Sequence, residues 1–493
     1  DAGQYVSGGF ISNTIVEGVL RFDGQQQYLA RNCDLRRGYT ESSLNIVLVG
    51  CTGQGLPPHA PAAGTSEAVT AVEHTPRIAE KPYLEYARRS GGDSDGGDGG
   101  GDGGGGDGDG DGGDWTIVVP AFGEAVSGPQ DTARDARRIP FWRGGWRAVL
   151  VLEPSHSEEE LHAAFGHPRC EAVVIAPGIY RLSRPLRITR RGFVVLGLGL
   201  ATLVCAGRGG CLAVDDAIDD VRIAGLLLEA GVMDLSRPTA PLLQWGTRAD
   251  AATNGMLSDV HARLTAMPTV DTRAPATAPL AYAVPVVLPA AGCAPKRADV
   301  MVMIASSGVT VDHTWLWHAD HDQCANGNAS ECSLPYLGTC VTDASVSAHG
   351  LVVEGHSVQA YGLQIEHQKS TLALWKGRSG SVYMFQAELP YTSPAFSLDQ
   401  VGYYVAPGAL PHTAVGIGVY VIFEGCRGQV AMQLPHGTEL DGALIMQIQG
   451  RPDAFRALVC SSDTPHVCAC TAERTACPPQ ASVSPIRMRR LAW

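Results

Sequence analysis

The sequence predicts an all-β chain wound as a parallel β-helix, and three observations carry that prediction. Strand formers and Gly are plentiful (59 Gly, 45% hydrophobic residues over 493 positions), while long helical patterns are scarce. Four segments align with one another: "DDVRIAGLLLEAG" from Asp219, "SGVTVDHTWLWHAD" from Ser307, "HSVQAYGLQIEHQ" from His356 and "SGSVYMFQAELPY" from Ser379. Each opens on a turn residue and Val, alternates apolar positions, and ends in polar or aromatic residues. The last two are about 24 residues apart and the middle two about twice that, the period of one coil whose apolar face is buried only by stacking on the next. Finally, "HSEEELHAAFG" from His156 reads as a short capped helix just ahead of a strand–turn–strand run. A β-sandwich, whose strands also alternate, is the competing arrangement.

In chain order, residues 1–60 are strand-rich ("GGFISNTIVEG", "QQQYLARNCDL", "SSLNIVLVGC") and read as the tail of a first β-structure, either a partial β-helix or a lateral sheet. Residues 61–145 form a connector in which "EKPYLEY" and "WTIVVPA" are candidate hairpin arms. Between them, residues 91–114 contain only Gly, Asp and one Ser. This insertion has no large apolar residue at a fixed repeat position, as a Ca²⁺-binding β-roll requires, so an acidic disordered loop is the expectation. In the helix, Ser157 and Glu160 are spaced as a capping box, and Leu161, Ala164 and Phe165 make one apolar face. Such a helix would cover the open end of a β-helix spanning residues 146–455. Residues 456–493 form a Cys-rich tail.

The formal charge is −13, and the Gly/Asp run contributes eight of those negative charges, leaving −5. That balance argues against a phosphate-binding surface for nucleic acid. No apolar run reaches the roughly 20 residues of a membrane span. There are fourteen Cys, and half of them fall in two clusters. Cys324, Cys332 and Cys340 form one group, and Cys460, Cys468, Cys470 and Cys477 another, so they are disulfide candidates in an oxidising, extracellular setting. Zinc is the competing reading for the second group. The sequon at Asn328 lies inside the first group and is a candidate glycosylation site. The chain begins at Asp1 without a signal peptide, as a processed mature chain or a fragment would.

Chemistry concentrates in "VDHTWLWHADHDQC" (residues 311–324), with three His, three Asp and two Trp in fourteen positions. Strand alternation puts Trp315 and Trp317 on one face and Leu316 and His318 on the other, and the apolar Leu316 belongs inside. Equivalent strand ends in the aligned segments carry Asp320, Glu366 and Glu388 as candidate catalytic acids. Trp315, Trp317, Trp375 and Tyr391 are candidate stacking surfaces for a bound ring, with His318, His321 and His367 tuning the acids or binding hydroxyls. The His318–His321 spacing with Asp320 and Asp322 also suits Zn²⁺ or Ca²⁺. Lys369, Lys376 and Arg378 lie near enough in sequence to keep a Ca²⁺-dependent elimination open. Each residue taken singly could instead belong to an interior ladder or a turn.

The stretches "SGGFISNTIVEG", "QQQYLARNCDLRRG", "EKPYL", "PGIYRL", "VVLGLGLATL", "DHTWLWHADH", "GLVVEGHSVQAYGLQIEHQ", "LWKGRSGSVYMFQAELPY" and "VGIGVYVIF" resemble, in collinear order over most of residues 7–425, secreted bacterial and fungal proteins of the pectate-lyase-like superfamily. Many of that group carry discoidin or carbohydrate-binding modules. Relatives with two β-helices include exo-acting β-1,3-glucanases. The resemblance implies a right-handed parallel β-helix that binds or cleaves polysaccharide along a lateral face. The chain departs from the group in the Gly/Asp run, a Pro/Ala-rich stretch at 266–296, the Cys-bearing loop at 323–340 and the tail. The expectation is therefore a secreted polysaccharide hydrolase acting through paired carboxyls without a resident cofactor. A non-catalytic glycan-binding or scaffold protein and a Ca²⁺-dependent lyase are the alternatives.

Overall fold

The computed structural model describes residues 6–22, 24–40, 43–58, 68–88, 113–143, 145–232, 234–265, 296–319, 346–390, 401–423, 428–450, 455–463 and 486–488. Two stacks of parallel coils make up the molecule. The first is short. Val6–Ser12, Gln25–Arg31, Asn45–Val49 and Val69–Val72 pair in parallel to form one wall. Ile15–Val16, Asp34–Leu35 and Thr52–Gly53 make a second wall, and Leu20–Arg21 with Tyr39–Thr40 a third. Of the two expected alternatives, this is the partial β-helix, and its last strand runs on to Val72, past the boundary at residue 60. Its interior is closed by Phe22, Leu35, Ile46 and Leu48, all buried.

The connector holds an antiparallel hairpin of Tyr83–Arg88 and Gly113–Val119, with Arg137–Pro140 as a third strand. Of the Gly/Asp insertion, residues 91–112 lie outside the described residues. The capping helix spans Glu158–Gly166. The Ser157 hydroxyl accepts from the Glu160 N–H at 3.3 Å, and the Glu160 carboxylate accepts from the Ser157 N–H at 2.7 Å. Leu161, Ala164 and Phe165 are buried against the first coil, as the sequence pattern requires.

The second stack is the main body. Among the described residues it has a thirteen-stranded sheet and a nine-stranded sheet. The larger includes Val149–Leu152, Ala172–Ile175, Val194–Cys205, Arg222–Ala230, Met256–Thr265, Thr310–Ala319, Gln359–Glu366, Gly380–Glu388, His412–Phe423 and Ala443–Gly450, each parallel to the next. Phe455–Ser461 still pairs in parallel within the smaller sheet, so the body runs past residue 455. Alternation fills its interior: Ala262, Leu316, Ile365, Ala387 and Val419 occupy equivalent positions of successive coils, and all are buried in one cluster.

The long strands bend midway. At the bend each coil places one residue in the left-handed region: Gly225, Asp259, His313, Gly362, Met384 and Gly416, with φ between 51° and 70°. The first stack seats itself on this ridge. A Cβ on Gly362 would stand 3.2 Å from Phe10 and 3.3 Å from Leu29, and one on Gly416 would run into Val47. Tyr361, Tyr383, Val415, Leu29 and Val47 share an apolar cluster across the junction. At its centre, the fully buried Arg31 forks to Glu80 (2.8 and 3.0 Å) and to Asp312 (2.9 and 3.2 Å). Burial pushes the Asp312 carboxyl up to about 6 against the pull of Arg31.

Cys205 and Cys211 form a disulfide with Cα atoms 5.0 Å apart, a pair outside the expected groups. Cys460 is disulfide-bonded and buried. Cys324, Cys332, Cys340, Cys468, Cys470, Cys477 and Asn328 lie outside the described residues. Cys33, Cys51 and Cys170 are free and buried.

Two predictions follow from this packing. Arg31→Ala leaves Asp312 and Glu80 facing each other at a buried junction, and should cost roughly 3–5 kcal/mol of stability in denaturant unfolding. An unchanged midpoint would show that the junction does not depend on this fork. His412 Nε2 and the Tyr403 hydroxyl share a hydrogen bond at 2.6 Å, and burial pushes the His412 pKa from 6.5 down to about 3. Between those values the unfolded chain binds a proton that the native chain refuses, so stability is complete above 6.5 and declines as the pH falls towards 3. Melting temperature should drop over that window, and His412→Gln, whose amide can still hydrogen-bond Tyr403 but does not titrate, should flatten the slope.

Candidate functional site

Parallel in-register pairing turns sequence positions into columns. On the outer face of the large sheet, one column reads Glu229, Arg263, Trp317, Glu366, Glu388, Tyr420, each the Cα partner of the next. A second column, two residues earlier, reads Trp315, Gln364, Gln386, Gly418. The buried neighbours Leu316, Ile365 and Ala387 point into the coil, so Trp317, Glu366 and Glu388 point out of it. Their outer surface meets the first stack, which is why Glu366 and Glu388 are only 6% and 7% exposed although they lie outside the coil.

Glu366, His367 and Glu388 each offer a donor atom within 4.8 Å of the other two. His367 Nε2 stands 3.6 Å from Glu388 Oε2. His367 has φ 68°, a conformation costly for a residue with a Cβ. Its backbone is held on both sides: its N–H donates to the Glu388 carbonyl at 2.9 Å, and His318 Nδ1 donates to its carbonyl at 3.0 Å. A carbonyl only accepts, so His318 carries its proton on Nδ1. From the first stack, Gln26 Nε2 donates to Glu388 Oε1 at 3.4 Å. Gln26 in turn accepts from Gln386 Nε2 at 2.8 Å, and its backbone carbonyl accepts from the Tyr420 hydroxyl at 3.3 Å.

The structure thus brings Glu366, Glu388 and His367 together, with Trp317 next in their column. Trp315 and Trp317 are half-buried on the outer face, their rings stacked at 5.0 Å and 13°. Two assignments need correction. His318 is buried on the interior side, where it braces the His367 backbone, so it positions the site without facing a ligand. Trp375 is fully buried inside the coil, its ring 5.2 Å from that of His412, because Ala373 and Trp375 are the inward positions of their short strand. It cannot stack on a sugar. Asp320, His321 and Tyr391 lie outside the described residues. Lys376 pairs with Glu354 at 3.0 Å beyond the smaller sheet, on another side of the coil.

Sequence reading missed Gln26, Gln364 and Gln386, and also a polar cluster at the bend beside Trp315. There Lys81 Nζ and His313 Nδ1 bind the two Asp259 oxygens at 2.7 and 2.5 Å, and Phe10 stacks on His313. Burial alone would raise the Asp259 carboxyl; the bonds from His313 and Lys81 overcome it and hold the group well below the usual range. Burial, with His313 adding to it, pushes His261 down to about 4. That fits its Nδ1 accepting the Trp315 N–H at 3.2 Å.

Comparison with known proteins places this geometry. Residues 149–388 match the family model described as the LAM55 pectate lyase-like domain. The fold is the pectate-lyase-like right-handed parallel β-helix. An exo-beta-1,3-glucanase of Streptomyces sp. (strain SirexAA-E / ActE) is 25% identical over 467 residues, covering 92% of this chain. The chain spans 64% of that glucanase's length. Two solved structures of sacteLam55A from Streptomyces sp. SirexAA-E superpose with TM-scores of 0.69 and 0.66, at 22% and 23% identity. They cover 93% and 92% of this chain, and 71% of each solved chain is matched. The first is a variant in complex with glucose.

A half-buried indole pair beside two carboxyls offers a flat apolar surface on which a ligand ring can stack. Trp317→Ala removes one ring of the stacked pair and should weaken binding of an oligosaccharide that lies on it about tenfold in calorimetry, with the protein still folded. Equal affinity in both proteins would remove the platform from the site.

Proposed function

We propose that this chain is a secreted glycoside hydrolase that cleaves a polysaccharide, with a β-1,3-glucan as the first candidate, between the paired carboxyls of Glu366 and Glu388. The observation that carries the reading is their in-register position on adjacent strands, outside the coil and next to the Trp pair. Glycoside hydrolysis requires one carboxyl to protonate the leaving oxygen and another to activate water or attack the anomeric carbon. The two carboxyls are near enough for one to face the leaving oxygen and the other the anomeric carbon, the division of roles the reaction needs. Gln26 and His367 orient Glu388 from either side, and Asp320 remains a third candidate acid. The glucan preference rests on the similarity to an exo-beta-1,3-glucanase. The Cys205–Cys211 disulfide and the sequon at Asn328 support secretion.

Glu366→Gln and Glu388→Gln should each lower kcat on β-1,3-glucan by about 10³-fold or more while leaving melting temperature within a few degrees. The variant that lacks the general acid should recover activity on an aryl glucoside with a good leaving group, which identifies the acid. Full activity in either variant would sink the pairing. The donors of Glu366, His367 and Glu388 also suit a divalent cation, so the same assay should be run after chelation. Retained hydrolysis supports the paired-carboxyl reading. Ca²⁺-dependent release of an unsaturated product from a polyuronate, whose C6 carboxylate makes the C5 proton removable, supports a lyase. Glycan binding without product release supports a non-catalytic role.

A further inference from the structure

A second site stands at the opposite end of the coil stack. A cavity of about 270 Å³ opens beside the first coil, lined by Trp146, Arg147, Leu150, His167, Pro168 and Arg169. Its strand, Val149–Leu152, is six pairings away from Gln359–Glu366 in the large sheet, or about 30 Å at about 4.8 Å per strand. It is therefore separate from the acid pair.

The charges around this cavity divide into two kinds. Neighbouring arginines are matched to acids: Arg143 to Glu171 at 3.3 Å, Arg137 to Asp220 at 3.6 Å and Arg191 to Asp219 at 3.2 Å. Arg147 and Arg169 form no ion pair among the described residues. Each lies instead over an indole: Arg147 4.9 Å from the Trp142 ring centre, Arg169 6.0 Å from that of Trp146. Both arginines are exposed, and Trp142 is 59% exposed, one of the most open large apolar side chains described. A protein with a formal charge of −13 thus keeps two guanidinium groups without carboxylate partners at one small concavity.

The loop that carries Arg169 is set firmly. The Arg169 N–H donates to His167 Nδ1 at 3.3 Å, and the Cys170 N–H to the His167 carbonyl at 3.1 Å. Arg190 ties the loop's flanks by donating to the Phe165 and Cys170 carbonyls at 3.0 and 3.1 Å. The capping helix and first coil therefore hold the cavity walls in place.

We propose that this cavity binds an anionic saccharide, a sugar ring that bears a carboxylate or a sulfate ester. The indoles take the apolar ring face, and the planar guanidinium forks of Arg147 and Arg169 take the anionic group. The volume equals about nine waters at ~30 Å³ each, enough for one substituted sugar ring and too small for a folded partner. The site does not depend on the hydrolase reading, because no residue of the acid pair takes part.

The test uses the full chain and its Arg147→Gln/Arg169→Gln double variant, both exposed positions, with melting curves to confirm that each is folded. Calorimetry is run with an oligogalacturonate, a sulfated β-1,3-glucan oligosaccharide and an unsubstituted β-1,3-glucan oligosaccharide. The wild type should bind at least one anionic sugar, and the double variant should bind it about tenfold more weakly or worse. Affinity should also fall with added salt. Uronate or sulfate preference names the source of the charge. Glucan hydrolysis should be equal in both proteins, so failure of this site is told apart from failure of the acid pair. No anionic binding by the wild type, equal binding by the double variant, or an arginine-dependent preference for the unsubstituted sugar each overturns the proposal.

Discussion

Register is the constraint from which the rest of this molecule follows. In a parallel coil each residue stacks on its counterpart about 4.8 Å away in the next coil, and a slip of one position would turn every interior side chain outward. Leu316, Ile365, Ala387 and Val419 fix that register through burial. Once they are inside, Trp317, Glu366, Glu388 and Tyr420 have no choice but to line up outside. The candidate site is thus a by-product of core packing: apolar residues set the spacing of the polar ones.

The bend adds a second condition. A long strand that stayed straight would present one flat face, with no ridge for the first stack. One left-handed residue in each of six successive coils turns the sheet, and Gly stands where a Cβ would meet the first stack (Gly362, Gly416) or the Gly197 carbonyl of the preceding coil (Gly225). Asp259 and His313 adopt the same conformation with side chains, and the hydrogen bond between them spans the two coils at that point. The buried fork of Arg31 then fixes which part of the ridge is used. It works as a docking pin more than as a source of stability, since the desolvation of three charged groups offsets most of its attraction. Seated in this way, the first stack brings Gln26 to Glu388.

How far the sequence reveals this depends on separation along the chain. Alternation within "TWLWH" and the repeat between coils are local signals. They suffice for the outward Trp pair, for stacking of Glu366 on Glu388, and for the capping box at Ser157. Trp375 misleads because its strand has only three residues, too few for alternation to show which face is inward. Gln26 contacts Glu388 across 362 residues, and Arg31 meets Asp312 across 281. No periodicity spans such gaps, because these contacts join two separate stacks whose docking surface is set by shape. Gln26 and Arg31 sit in "QQQYLARNC", which reads as one more strand and carries no sign that its outward residues are buried.

The stacked glutamates bear on function through their cost. Coil ladders are commonly built from side chains that gain by stacking, as Tyr361 does on Tyr383 at 5.1 Å. Like carboxyls directly opposite each other lose by it, and burial at the junction raises the penalty. A purely structural position would accept Gln, and Gln364 on Gln386 shows that this fold uses that solution two residues away in the same strands. The chain nevertheless keeps Glu over Glu, with the strained His367 beside them and a glutamine brought in from the other stack. Positions that cost stability in this way are where a functional site is to be looked for, and the proposed pairing of one carboxyl as acid with the other as base or nucleophile gives the cost a reason.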